Sequence, residues 1–429
     1  MSAISVFNTA SSGSTKLGAG ERFVPRPVDA VDELGISQNI LVDLMLKLTL
    51  LEGDTTLSRV ARQMKVGGAV AGAVFSHLRK EQYVEVKGMV GNDYALSLSG
   101  QGRRLAQDRY QINQYVGPAP VSLDAYIDAI KMQAVRHKVN RERLQEVFED
   151  LVLPDEMLDQ LGPAIISNSQ IFLYGSTGNG KTSIAERLVR VFKDDVYLPY
   201  AIEVQGQIIN IYDSVVHRPV KNDEPHDNRW IKCHRPSIAV GGEMVQEMLD
   251  LRFDETLGYY TAPLQMKANN GLFIIDDFGR QMINPRDLLN RWIVPLDRGV
   301  DFLSLRTGIK FPVPFETLVV FSTNLDPRQL ADEAFLRRIQ NKVKVETISP
   351  EIFDTILKRV CDDAQIQWTS EASAYVRDKC KLDGRKAVLR ACYPRDIVEI
   401  LKNIAVYEDR APRLDQTDVD RAVDLYFAR

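Results

Sequence analysis

The chain has 429 residues, with 54 Lys and Arg against 58 Asp and Glu. Its length is about three times that of a usual domain, which calls for more than one core, and its near-neutral balance excludes a global basic field that would make nucleic acid the default partner. The four cysteines, Cys233, Cys361, Cys380 and Cys392, lie scattered without paired spacing, which argues against a disulfide framework and for a reducing cytoplasm.

The first twenty residues are rich in Ser, Gly and Ala and lack the cationic start and apolar run of a secretory signal, so a flexible tail is expected over residues 1–30. Nowhere do about eighteen apolar residues follow one another, and no membrane insertion is expected. Residues 31–112 read as a small separate domain. A first helix carries Ile40, Leu41, Leu44, Met45 and Leu48 on one face, and a second follows Thr55-Thr56 with Leu57, Val60, Ala61 and Met64 at helical spacing. A third runs from about Ala69 to Lys80. Tyr83 to Val86 and Tyr94 to Leu98 alternate like strands around the turn Gly91-Asn92-Asp93, and Gln101 to Tyr110 is helical again. Three helices followed by a hairpin resemble a winged helix-turn-helix domain. The third helix offers no Arg, Asn or Gln in its first two turns to reach base edges, so protein docking fits it better than DNA, although DNA stays a possible partner.

Residues 113–150 read as a linker and a charged helix, because Pro118 and Pro120 forbid a continuing helix. Beyond them four apolar strand candidates appear, Gln170 to Tyr174, Gln207 to Ile211, Leu272 to Ile275 and Leu318 to Phe321, with helical patterns between. Strands apolar throughout and alternating with helices indicate a mainly parallel sheet over residues 151–348. Residues 349–429 are helical in pattern to the end.

The chemistry concentrates at four places. Gly175, Ser176, Thr177, Gly178, Asn179, Gly180, Lys181 and Thr182, followed by Ser183, form a phosphate-binding loop between an apolar strand and an amphipathic helix. Its backbone N–H groups cradle phosphate, Lys181 adds charge at the β- and γ-phosphates of ATP, and the Thr182 hydroxyl is placed for Mg2+. Leu272 to Ile275 ends in Asp276 and Asp277, where the first acid holds Mg2+ through water and the second orients or deprotonates an attacking water. Leu318 to Phe321 leads to Asn324, placed to bond that water or the γ-phosphate. Beyond it, Arg337 and Arg338 are suited to reach a neighbouring subunit's γ-phosphate, and Arg395, after Pro394 at a helix start, to reach back to the nucleotide.

In this order the motifs resemble the AAA+ ATPases over roughly Leu161 to Arg429. The resemblance implies an α/β P-loop NTPase with a C-terminal helical lid, and a ring homo-oligomer, a hexamer by family expectation. It makes Asn324 sensor 1, Arg338 or Arg337 the arginine finger, with Arg338 preferred, and Arg395 sensor 2. One departure is Asp277, where the family usually has Glu, one methylene longer; slow hydrolysis is the consequence. With its N-terminal part the chain also looks like bacterial AAA+ proteins described as predicted chaperone-type ATPases associated with Flp pilus assembly, which implies a protein client.

Tyr212 to Asn270 reads as a long insertion. His217, His226, Cys233 and His234 have no zinc spacing with a geometric rationale, and Trp230 or Gly258-Tyr259-Tyr260 are candidates to line a ring channel, with ordinary packing at least as good a reading. Asp301 to Pro314 reads as a hairpin, similar to the pre-sensor hairpin of some AAA+ branches.

Overall fold

The computed structural model describes residues 22–134, 139–167, 170–330, 336–381 and 388–427. Near the N-terminus, helices Gln38–Glu52, Leu57–Met64, Gly68–Lys80 and Gly100–Ile112 enclose a core of Leu41, Leu44, Met45, Val60, Met64, Val70, Val74 and Leu78. The Ser37 and Ser99 hydroxyls accept the N–H groups of Asn39 and Gly102 and so start the first and last of these helices. Strands Thr55–Thr56, Asp93–Leu98 and Val84–Val90 form an antiparallel sheet in that spatial order. The strand expected over Tyr83 to Val86 runs on to Val90 through a bulge between Val86 and Gly88.

The chain's central body is a parallel sheet of five strands in the order Ser237–Val240, Leu272–Ile275, Leu318–Thr323, Ile171–Tyr174, Asn341–Lys344. Leu161, Ile165, Ile184 and Leu188 cover one face, and Met244, Phe278, Leu288 and Trp292 the other. Two of its strands carry weak sequence signals. Ser237–Val240 alternates exposed and buried residues, and Asn341–Lys344 buries only Val343, as edge strands do.

The strand expected over Gln207 to Ile211 belongs elsewhere. Gln205 and Gly206, both at positive φ, turn it back antiparallel on Ala201–Val204. A second, mixed sheet results, in the order Arg252–Asp254, Tyr259–Thr261, Gln207–Asn210, Ala201–Val204, Val121–Ser122. Between the phosphate-loop helix and Asp276 the helical patterns expected are not found; the one α-helix is Leu264–Lys267. Helix Leu123–Gln133 and the hairpin Val300–Ser304 with Lys310–Pro314 pack on the second sheet through Tyr126, Leu303 and Phe311. The hairpin expected from Asp301 to Pro314 is therefore present, and it serves as part of a core.

Tyr115 and Ala119 pack into the core of the N-terminal helices and Val121 to Ile130 into this second body, so the segment expected as a linker is packed along its length. The proline strap does exclude helix, but it is pinned at both ends. The Gln114 N–H donates to Leu257 O at 2.7 Å and the Ala119 N–H to Met64 O at 2.8 Å. Tyr115, buried, donates its hydroxyl to Pro118 O at 2.8 Å. The tail expectation is also shortened. Residues 1–21 lie outside the described residues, and from Arg22 the chain lies along the second body, with Phe23 edge-on to Trp230 at 5.9 Å.

The aromatics considered for a channel are interior: Trp230 is 4% and Tyr260 2% exposed, and Tyr259 packs edge-on to Tyr115 at 5.4 Å. His217 is structural too. Its Nδ1 accepts the Asp213 N–H and its Nε2 donates to Lys267 O, both at 2.9 Å, and burial holds the ring below its usual pKa, in the neutral form. Among the described residues no His, Cys, Asp and Glu group is arranged to hold a metal by side chains of those types alone.

Helices Pro350–Asp363, Ser370–Lys381, Tyr393–Tyr407 and Gln416–Phe427 make the C-terminal unit around Phe353, Leu357, Val376, Ile397, Leu401 and Val423. Among the described residues no helix is long and apolar enough to cross a membrane.

Candidate nucleotide site

Strand Ile171–Tyr174 runs into Gly175, and the loop closes at Gly180 before helix Lys181–Arg187. A side chain at Gly175 would collide with the Val345 carbonyl on the adjoining strand's exit, and Gly178, at φ 80°, would place one 2.8 Å from Cys392 Sγ. The loop is therefore packed on both flanks. Lys181 is buried, its Nζ donating to Gly175 O and Ser176 O at 3.0 Å each. Burial lowers its pKa, and the charges of Asp276 and Asp277 oppose that shift.

The Thr182 hydroxyl donates to Asp276 Oδ2 at 2.8 Å. Two hard oxygens in contact at the mouth of the loop are the donor chemistry that suits Mg2+. Asp277 follows at φ 47°, exposed, its N–H on Asp276 Oδ1 at 3.0 Å. Asp adopts this left-handed backbone more readily than most side chains, which gives a local reason for Asp at this position. The Phe278 N–H then donates to Ser322 O at 2.7 Å and Thr323 Oγ1 to Phe278 O at 2.6 Å, locking the acid-bearing turn to the neighbouring strand.

That neighbouring strand, Leu318–Thr323, lies between the phosphate-loop strand and the acid strand, with Phe321 opposite Ile275 and Thr323 opposite Tyr174. Asn324 consequently emerges between loop and acids. Its Oδ1 is buried and has no hydrogen-bond partner among the described residues, a cost that a bound water or phosphate partner would relieve.

Arg395 is exposed in the first turn of helix Tyr393–Tyr407, with Pro394 beside it as expected. The approach to this helix touches the loop directly: the Cys392 N–H donates to Gly178 O at 2.9 Å and the Ala391 N–H to Asn179 Oδ1 at 3.4 Å. Asn179 is clasped in turn by its Nδ2 on Ser176 Oγ at 2.7 Å. Sequence reasoning missed Arg390, whose Cδ would lie 3.3 Å from a side chain at Gly178 and whose guanidinium stands over the Tyr393 ring. No spacing marks it; a basic residue five places before Arg395 was the sole signal.

Arg337 and Arg338 are not brought to this end. They precede Asn341, which pairs with Ile171, whereas the loop leaves from Tyr174, which pairs with Lys344. About 10 Å of strand therefore separates them from the loop, and they face away from it. Arg337 is exposed, and the Arg338 side chain is 20% exposed with its Nε 3.9 Å from Asp297. Phe335, just before them, lies outside the described residues.

A parallel α/β sheet with a phosphate loop on an inner strand, two acids ending the strand two places away and a polar-ended strand between them is the architecture of a P-loop NTPase fold. Residues 349–425, the helical C-terminal unit, match the family described as a domain of unknown function, DUF8689. No curated protein matches the chain. Among solved structures the chain is similar to a RuvB mutant of Thermotoga maritima, with 11% identity and TM-score 0.39 over 65% of this chain and 72% of that one. It is likewise similar to NtrX from Brucella abortus, with 13% identity and TM-score 0.38 over 74% and 59% of the two chains. Strand order and loop placement carry the fold.

Proposed function

We propose that the chain binds and hydrolyses ATP as one subunit of a closed ring and uses the cycle to remodel a protein client. The observation that carries this reading is the Thr182 to Asp276 contact at 2.8 Å beside the phosphate loop and next to Asp277. Gly175 to Ser183 wrap the phosphates by backbone N–H groups, and Lys181 leaves the loop carbonyls to pair with the β- and γ-oxygens. Mg2+, held by Thr182 and Asp276, supplies neutralisation of phosphate charge. Asp277 accepts a proton from the attacking water, Asn324 orients that water, and Arg395 contacts the phosphates from the lid.

Because Arg337 and Arg338 lie at the far end of the phosphate-loop strand, they serve a neighbour's site. The greater exposure of Arg337 moves the finger role to it from Arg338, which leans on Asp297. Head-to-tail repetition of one such contact closes a ring. The resemblance to pilus-associated chaperone-type ATPases supports a protein client in secretion or pilus assembly. The N-terminal helices and antiparallel sheet, read as a winged-helix-like domain, support docking of protein: helix Gly68–Lys80 exposes Ala69, Ala73 and Ser76 before its cations begin.

The test is turnover of ATP by the wild type, Lys181→Ala and Asp277→Ala. Loss in both variants is expected; turnover in Asp277→Ala equal to the wild type would remove the catalytic acid. Salt-sensitive binding of duplex DNA would favour the alternative, an ATP-switched DNA-associated regulator. Nucleotide binding without turnover in the wild type would favour a scaffold.

A further inference from the structure

The phosphate loop and the helical C-terminal unit meet through two hydrogen bonds of different kinds. One joins main chain to main chain, the Cys392 N–H on Gly178 O at 2.9 Å. The other runs through a side chain, the Ala391 N–H on Asn179 Oδ1 at 3.4 Å. Asn179 is 5% exposed and uses its amide at both ends, because its Nδ2 donates to Ser176 Oγ at 2.7 Å and to Ser176 O at 3.3 Å. Ser176 O also accepts Lys181 Nζ at 3.0 Å. The side chain that ties the loop to the lid therefore shares an acceptor with the cation of the loop.

Lys181 changes partners when phosphate arrives, since its charge is then drawn to the β- and γ-oxygens. Its departure leaves Ser176 O to Asn179 Nδ2, whose contact there is the longer of its two and has room to shorten. A carboxamide is planar, so its nitrogen and oxygen turn together. Any turn toward Ser176 O moves Oδ1, and the bond to Ala391, at 3.4 Å, has no length to spare. We infer that Asn179 is a positioning residue that carries the occupancy of the phosphate loop to the lid: when Lys181 leaves Ser176 O, Asn179 releases Ala391 and the lid lifts more readily from the loop. The inference rests on the nucleotide reading above and names the side chain through which that site is coupled to the C-terminal unit.

Cys392 reports the coupling. Its Sγ would lie 2.8 Å from a side chain at Gly178, and it is partly exposed, whereas Cys233, Cys361 and Cys380 are buried. Its rate of reaction with a thiol reagent thus reads how often the lid parts from the loop. Lys181→Ala takes the cation from Ser176 O with no nucleotide present, and it is expected to raise that rate about fivefold, as the loss of one hydrogen bond of ordinary strength would. A non-hydrolysable ATP analogue with Mg2+ is expected to raise the rate to the same degree in the wild type and in Arg395→Ala, whose lid lacks its own phosphate contact. Asn179→Ala is expected to bind the analogue, to label at the raised rate from the start, to show no response to the analogue and to gain nothing further from Lys181→Ala. Labelling of Asn179→Ala at the wild-type rate overturns the inference. So does a response to the analogue that persists in Asn179→Ala, which a side chain that only holds the loop's shape would leave in place, or an effect that multiplies with that of Lys181→Ala. A response lost in Arg395→Ala and kept in Asn179→Ala would route the coupling through the arginine instead. A wild type that does not bind the analogue removes the nucleotide reading, while the Lys181→Ala and Asn179→Ala rates, which need no nucleotide, still decide the relay.

Discussion

The backbone N–H of Cys392 donates to the carbonyl of Gly178 at 2.9 Å, so the helical C-terminal unit grips the phosphate loop by its main chain. Gly178→Ala is expected to disturb both partners. Its φ of 80° disfavours any side chain by about 1 kcal/mol, and the new Cβ would stand 2.8 Å from Cys392 Sγ. Nucleotide affinity should fall roughly tenfold, read by titration with a fluorescent analogue, which corresponds to about 1.4 kcal/mol. Gly178→Ala combined with Cys392→Ala should recover part of that loss, because the clash is removed and the backbone strain is not; no recovery would deny the contact.

Asp277→Glu restores the longer acid of the resembling family, yet it is expected not to speed turnover. At φ 47° the position favours a short polar side chain, and the extra methylene changes where the carboxylate sits relative to Asp276. Initial rates of phosphate release at saturating ATP decide the matter, and a rise of tenfold in Asp277→Glu would show that length alone limits the native site.

Lys47, buried in helix Gln38–Glu52, donates to Asn113 O at 3.0 Å, with Asp43 on its own helix and Arg109 beyond. Burial pushes its pKa down to about 8, against a partial rise from Asp43. Between pH 8 and its ordinary value near 10.5 the unfolded chain binds a proton that the folded chain does not. Stability contributed by this group therefore rises with pH across that window, by at most about 1.4 kcal/mol per pH unit, and is lost as pH falls to 8. Denaturant melts of Lys47→Met and the wild type at pH 7.5 and 9.5 should show the rise in the wild type alone, once their common trend is subtracted.

Asp301, 1% exposed, binds Arg291 Nη2 at 3.1 Å and Gln265 Nε2 at 2.9 Å, joining the hairpin to two helices. Asp301→Ala leaves a guanidinium and an amide short of their acceptor in the interior and should cost about 3 kcal/mol or more. Arg291→Met with Asp301→Leu removes both charges and should cost less than Asp301→Ala alone. Urea melts give both values, and a double variant as unstable as the single would deny the pairing.

The phosphate loop, the paired acids and the polar-ended strand were legible in the sequence because each joins a continuous apolar run to a short polar signature. The sheet itself was read incompletely. Asn341–Lys344 alternates Lys with Val at an edge, leaving no apolar run to detect, and Gln207–Asn210 has such a run but spends it on a hairpin. The aromatics Trp230 and Tyr260 carry no local sign of which side they face, since burial is decided by strands distant in sequence. Arg390 and Cys392 reach the loop by a tertiary approach that no spacing encodes.

The proline strap from Gln114 to Pro120, held to Leu257 and Met64, gives the N-terminal helices a second consequence. Arg229, buried with Asp227 at 2.7 Å, also reaches the carbonyls of Leu34 and Pro120. The N-terminal helices are thereby tied to the second body at three separated points, Gln114, Ala119 and Arg229, so a displacement of one is passed to the other.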